Sequence, residues 1–255
     1  MKTKEYLFVA ISVAMMLGNC ALAKAQDEDE SNDFGTRISG EVDKKICKGL
    51  HVSLSEELRF NDFNFDRTVT GIGVSYKINP YLKVGGAYYL IGVDDTDFEW
   101  RHRGVFDLTE SYKTSNNWKF SLRERFQATY KAYDINEYQK PKTEMVLRFR
   151  FKVSKKISNT PLEPYASFEL KYLLNGARWV DGVYKDHGDS YVNRLRGQAG
   201  LDWKISQRSG LDFYMMFDHD METVIDSNKE GTTLKSMYDN NFNKFTIGVS
   251  YKFSF

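Results

Sequence analysis

The chain has 255 residues, 41% hydrophobic and 15% aromatic, with 36 Lys and Arg against 35 Asp and Glu. That balance excludes a general nucleic-acid binder, whose footprint is a strong basic excess. A mean hydropathy of −0.54, with no run of about 18 apolar residues past the first segment, excludes a helical membrane protein.

Taken in chain order, the first 25 residues predict a secretory signal peptide. Met1-Lys2-Thr3-Lys4 is basic, Leu7 to Leu17 is apolar, and Ala23-Lys24-Ala25 has the form of a cleavage site. The apolar run is short of the ~20 residues that a permanent span needs. Leu17-Gly18-Asn19-Cys20 also resembles a lipoprotein box that would lipidate Cys20, although Asn19 stands where a small residue is usual. Cleavage after Ala25 leaves 230 residues, with 33 basic against 34 acidic side chains once Lys2, Lys4, Lys24 and Glu5 are removed, a net charge of −1. Cys47 is then the sole cysteine, so no intramolecular disulfide forms. Residues 26–34 open with Gln26-Asp27-Glu28-Asp29-Glu30, an acidic tether expected to be solvated and outside any folded wall.

From Gly35 to Phe255 the period is two, which is that of strands. Trp118–Tyr130, Met145–Val153, Ala166–Leu174 and Leu195–Ile205 alternate most clearly. Weaker strands are read at 50–60, 67–78, 81–93, 99–112 and 210–222, with a short one at 36–43. Many of these runs exceed the ~5–6 residues of a soluble strand and match the ~9–11 of a tilted membrane strand. Turns at 77–81, 112–117, 154–163 and 206–210 alternate with polar loops at 93–98, 131–142, 175–189 and 224–241. Outer-membrane barrels place short turns in the periplasm and long loops outside.

The last strand is the most regular. Phe245, Ile247, Val249, Tyr251, Phe253 and Phe255 alternate with Thr, Gly, Ser, Lys and Ser, and a terminal Phe looks like the end of a Gram-negative outer-membrane β-barrel. In that resemblance Tyr251, Phe253 and Phe255 form the signature read by the barrel-insertion machinery. A soluble barrel or sandwich with the apolar face inside is the competing reading. The long strands, the signal peptide, the terminal Phe and the 16 Tyr and 18 Phe favour the membrane. The expectation is therefore an all-β, antiparallel transmembrane barrel, a single-domain monomer in the outer membrane. Eleven segments are countable, but single-chain bacterial barrels are normally even, so ten or twelve strands are expected.

With the apolar face in lipid, the opposite face lines a lumen rich in arginine. It carries Arg101, Arg103, Arg123, Arg125, Arg148, Arg150, Arg194 and Arg196, with Lys152, Lys171 and Lys204. Glu57, Asp107, Glu144, Glu169, Asp202 and Asp212 share it. Ion pairs could fill and lock a narrow bore, or an unbalanced ladder could attract anions. The imbalance is greatest on 118–130 and 142–153, where Lys119, Arg123, Arg125, Arg148, Arg150 and Lys152 meet Glu144. Glu56, His102 and Glu124 fall on the lipid face, where charge is costly, and a bulge at Glu124 could turn it inward.

Enzymatic readings rest on histidine. His51 and Ser53 share a strand face, where a base could activate a hydroxyl, but they sit by a periplasmic turn. Asp218-His219-Asp220 lies at the outer end, with His219 pointing away from both acids. His187 is expected in a loop between Asp186 and Asp189. No His/Cys set has zinc spacing, and Asp94-Asp95-x-Asp97 is too short for a calcium loop, so neither metal nor cofactor is expected.

Several stretches together resemble a family, the Bacteroidota outer-membrane barrels of domain of unknown function 2490. They are Asn32-Asp33-Phe34-Gly35-Thr36, Glu56-Glu57-Leu58-Arg59-Phe60, Val74-Ser75-Tyr76-Lys77-Ile78-Asn79 and Trp100-Arg101-His102-Arg103. The Arg123/Arg125 and Arg148/Arg150 pairs, Pro164-Tyr165 before Glu169, and Asn193-Arg194-Leu195 complete the match. Thr36-Arg37 departs from it, where an aromatic would follow Gly-Thr. The resemblance implies an outer-membrane barrel of unassigned activity. A more distant similarity, carried by the arginines, is to small porins for acidic oligosaccharides. The leading expectation is a non-enzymatic barrel forming a narrow anion-favouring channel, with outer-membrane lipid and small anionic solutes as partners. The alternatives are a closed structural barrel that binds a partner and a lipid-modifying enzyme acting at the rim.

Overall fold

The computed structural model describes residues 32–94 and 98–255; the expected signal peptide, the box at Cys20, residues 26–31 of the expected tether and Asp95 and Asp97 lie outside them, whereas residues 32–34, expected in the tether, open the first strand and pair within the barrel wall. Eleven strands follow one another without a helix among the described residues. They are β1 (Asn32–Cys47), β2 (Leu50–Asn61), β3 (Asn64–Lys77), β4 (Leu82–Val93), β5 (Glu99–Lys113) and β6 (Trp118–Lys131). The second half comprises β7 (Thr143–Lys155), β8 (Leu162–Val180), β9 (Val183–Lys204), β10 (Ser209–Ser227) and β11 (Leu234–Ser254). Each strand pairs with its chain neighbour, and β1 meets β11 to close the barrel.

The expectation of ten or twelve strands, all antiparallel, is corrected to eleven. Each of the eleven segments read from the sequence is a strand, including the doubtful first one, which runs 16 residues. In a chain of hairpins an odd count brings the last strand alongside the first in the same direction. The seam is accordingly parallel, from Asn32 opposite Asn243 to Asp43 opposite Ser254. The even-number rule applies only where the seam is antiparallel too. Phe255 completes the seam, its backbone N–H donating to the Asp43 carbonyl at 2.9 Å.

The outer wall is apolar. Leu54, Ile72, Phe106, Phe126, Phe149, Phe168, Phe213 and Ile247 all point outward and are exposed. Tyr81, Tyr112, Trp118, Phe120, Trp203, Tyr251 and Phe255 lie toward the end where the chain finishes. This is a soluble barrel turned inside out, a wall that is stable only against hydrocarbon. Glu56, His102 and Glu124 are indeed on this wall, and no bulge interrupts β5, β6 or β7 near Glu124. Glu56 accepts hydrogen bonds from the hydroxyls of Thr68 and, at 2.6 Å, Thr70. His102 Nδ1 lies 2.5 Å from the Tyr88 hydroxyl.

Two loop expectations are corrected. Residues 175–189 are mostly strand, because Asp181-Gly182 makes a two-residue hairpin with both φ values positive, 52° and 74°. Residues 224–241 shrink to a loop at 228–233. Four strands, β8 to β11, therefore run 19 to 22 residues and project beyond the barrel rim. Ala177, Trp179 and Ile225 bury one another there, with Tyr138, Tyr184 and Leu234 packed against them. The indole Nε1 of Trp179 donates to the Tyr138 carbonyl at 2.8 Å, and Asn136 Nδ2 donates to the Ser227 carbonyl at 3.2 Å. These bonds dock the loop 132–142 onto the projecting strands.

Candidate functional site

Because side chains alternate along every strand, register alone decides which lumen residues become neighbours. One register row joins Arg123 (β6), Arg150 (β7), Glu169 (β8), Arg196 (β9), Asp218 (β10) and Lys244 (β11). The adjacent row joins Asp107 (β5), Arg125, Arg148, Lys171, Arg194 and Asp220. Six of the eight sequence-predicted arginines, Arg123, Arg125, Arg148, Arg150, Arg194 and Arg196, thus fall in two adjacent register rows.

Pairing across this inner face is extensive. Arg125 grips Asp107 with two hydrogen bonds of 2.6 Å, and Arg196 grips Asp218 at 2.5 and 2.9 Å. Such bidentate forks are the strongest geometry available to guanidinium and carboxylate. Lys171 donates to Glu144 at 3.1 Å, and Arg194 pairs with Asp220. Glu169, 3% exposed, is the hub. It accepts from Arg123 Nη2 at 3.0 Å and from Arg148 Nε at 3.0 Å, with Arg148 Nη2 as a second donor and Arg196 Nη1 at 3.8 Å. Arg148 Nη1 also donates to Gln127 at 3.4 Å. Arg150 makes no hydrogen bond and no ion pair among the described residues, and the buried Nε of Arg123 has no acceptor.

Arg101 and Arg103 stand apart from this hub, on β5. Arg101 donates to Glu99 at 3.2 Å and lies over the Tyr133 ring, and Arg103 donates to the Thr129 hydroxyl at 3.0 Å. Sequence reading missed the lumen residues Arg37, Arg59 and Arg67, the role of Asp218 and Asp220 as counter-charges, and Tyr165 and Tyr214. Parity would have found the acids, since Asp212, Asp218 and Asp220 share one face of β10. Tyr165 donates to Asp212 at 2.9 Å and its ring lies 3.4 Å from Lys152 Nζ, over Gly200, where an added Cβ would fall 2.6 Å from the phenol.

The mid-lumen is packed: Val146 and Thr246 are 0% exposed, Ile91 and Asp218 1%. Toward the turn end, a depression of about 530 Å³ opens between Glu163, Asp202, Asp212, Lys204 and Lys252.

The histidines do not assemble catalytic groups. His51 Nδ1 lies 2.8 Å from Asp43, with no bond to Ser53. His219 faces outward beside Asn243 at 2.9 Å, while Asp218 and Asp220 point inward to arginines. His187, expected in a loop, lies in strand β9 with its ring 5.7 Å from that of Tyr184, because the Asp181-Gly182 hairpin extends the sheet past it. At the C-terminus, the Phe253 and Phe255 rings meet edge to face at 4.8 Å and Tyr251 is exposed on the outer wall.

Two solved structures are similar to this chain. A NanC porin, solved in a rhombohedral crystal form, is 13% identical, with a TM-score of 0.47 over 88% of this chain and 99% of its own. OmpT of Vibrio cholerae, folded in vitro, is 12% identical, with a TM-score of 0.36 over 82% of this chain and 62% of its own. No curated protein matches the sequence. The model of the family described as protein of unknown function DUF2490 matches residues 36–230, and the chain belongs to that family.

Proposed function

We propose that this protein is a non-enzymatic, porin-like barrel of the Gram-negative outer membrane whose lumen favours small anions, with Arg123, Arg125, Arg148 and Arg150 as its charge filter. One observation supports the reading: on β6 and β7, inward cations are concentrated and Arg150 makes no hydrogen bond or ion pair with an acid among the described residues. A ring of fixed positive charge in a low-dielectric wall concentrates anions and repels cations. Close packing around Val146 and Thr246 restricts any path to small solutes.

The test is single-channel recording of refolded protein in a planar bilayer under a salt gradient. The expected result is an anion-biased reversal potential that falls when the four arginines are changed to Ala. Silence from verifiably folded barrel would refute the channel. A second reading, a closed barrel that binds a partner at its loop end, is favoured by the ordered cap around Trp179 and Tyr138.

A further inference from the structure

Arg123 and Arg150 stand directly opposite each other on adjacent strands. Like charges so placed repel, and their Cβ atoms are about 4.5–5.5 Å apart in such pairs. Of the acids on this inner face, Glu169 and Asp107 are already committed, while Asp212 keeps its buried Oδ1 free. Glu169 Oε2 takes Arg123 Nη2, and Glu169 Oε1 takes the two Arg148 donors. Asp107 is held in the fork of Arg125. That leaves Arg150, whose donors reach solvent, without a hydrogen bond or ion pair to the protein among the described residues, and the buried Nε of Arg123 without an acceptor. Buried donors without acceptors are rare, and leaving one unmade at a charged group is expensive.

We propose that Arg123 and Arg150 form a fixed binding site for one small oxyanion, a carboxylate, phosphate or sulfate group. The geometry selects the class. A guanidinium offers a planar fork of N–H donors matched to two or more oxygens, whereas a halide offers a single point. A bound oxyanion supplies the missing acceptors and separates the two cations. The site rests on the anion-favouring lumen proposed above, but it requires occupancy and not conduction.

The experiment is a titration of thermal stability for the folded protein in detergent, using sodium sulfate against sodium chloride at matched ionic strength. Saturable stabilisation by sulfate alone is expected, with an apparent affinity at least about tenfold weaker in Arg150→Gln, as loss of a charged hydrogen bond gives. Arg150→Lys, which keeps the charge but loses the fork, falls between the two, and Arg208→Gln at a surface turn behaves as wild type. Because Arg150 makes no hydrogen bond or ion pair among the described residues and stands opposite the like charge of Arg123, Arg150→Gln is expected to fold and to be no less stable than wild type without sulfate. Equal responses to the two salts, or an undiminished sulfate response in Arg150→Gln, overturn the site. Sulfate binding by a barrel that passes no current removes the channel and keeps the site; current without saturable sulfate binding does the reverse.

Discussion

Replacing Glu169 with Gln tests whether the lumen is held by charge. Glu169 is 3% exposed and is the shared acceptor of Arg123 and Arg148, with Arg196 at 3.8 Å. Gln has the same shape and one carbonyl oxygen, so it can still accept a hydrogen bond from one arginine but carries none of the negative charge. Removing one partner of a buried ion pair costs about 3–5 kcal/mol, because the remaining charge stays desolvated. With one hydrogen bond retained, ~3 kcal/mol is the expected loss. At a denaturant slope of about 1–3 kcal/mol/M, the urea midpoint for unfolding from lipid vesicles drops by ~1–3 M. A double-mutant cycle with Arg148→Gln should return a coupling of about 0.5–3 kcal/mol. A midpoint within error of wild type, in protein that migrates as folded barrel, would refute the hub. Water would then be screening these charges as it does at a surface.

Trp179 is 7% exposed and anchors the loop 132–142 through Tyr138, so Trp179→Ala should release that loop. The lost packing is worth about 3–5 kcal/mol. Limited proteolysis should then cut near Lys140 or Lys142 while the barrel stays heat-resistant; unchanged cleavage kinetics would sink this account of the cap. The parallel seam makes a topological prediction as well. Since β1 and β11 run the same way, Asp33 lies toward the loop end and Cys47 toward the opposite end. On intact cells, an impermeant maleimide should label Asp33→Cys in a Cys47→Ser background, and should reach native Cys47 only after permeabilisation. Labelling of both positions only after permeabilisation would reject the parallel closure.

Much of the fold was legible because a strand writes its environment locally. Phe149 and Arg150, or Phe126 and Arg125, announce opposite faces with no knowledge of their partners, and the structure keeps each on its assigned face. Even the misfits Glu56, His102 and Glu124 were placed correctly by parity. The Asp181-Gly182 turn was equally legible as a short-range hairpin signal, but the polar residues around it read as loop. Among the candidate residues, strand parity put Arg123, Arg125, Arg148, Arg150 and Glu169 on one face, but it could not say which acid answers which base.

Sequence alone determined where strands occur, their two faces and the inside-out character of the wall, since these depend on residues one or two positions apart, but not how far β8 to β11 extend past the rim. The tertiary structure decided the eleven-strand count, the parallel seam and the isolation of Arg150. Those depend on register between strands distant in sequence: Asn32 opposite Asn243, or Arg123 and Arg148 converging on Glu169. Closure couples every register to every other, so the last contact around the barrel follows only when all the others are in place.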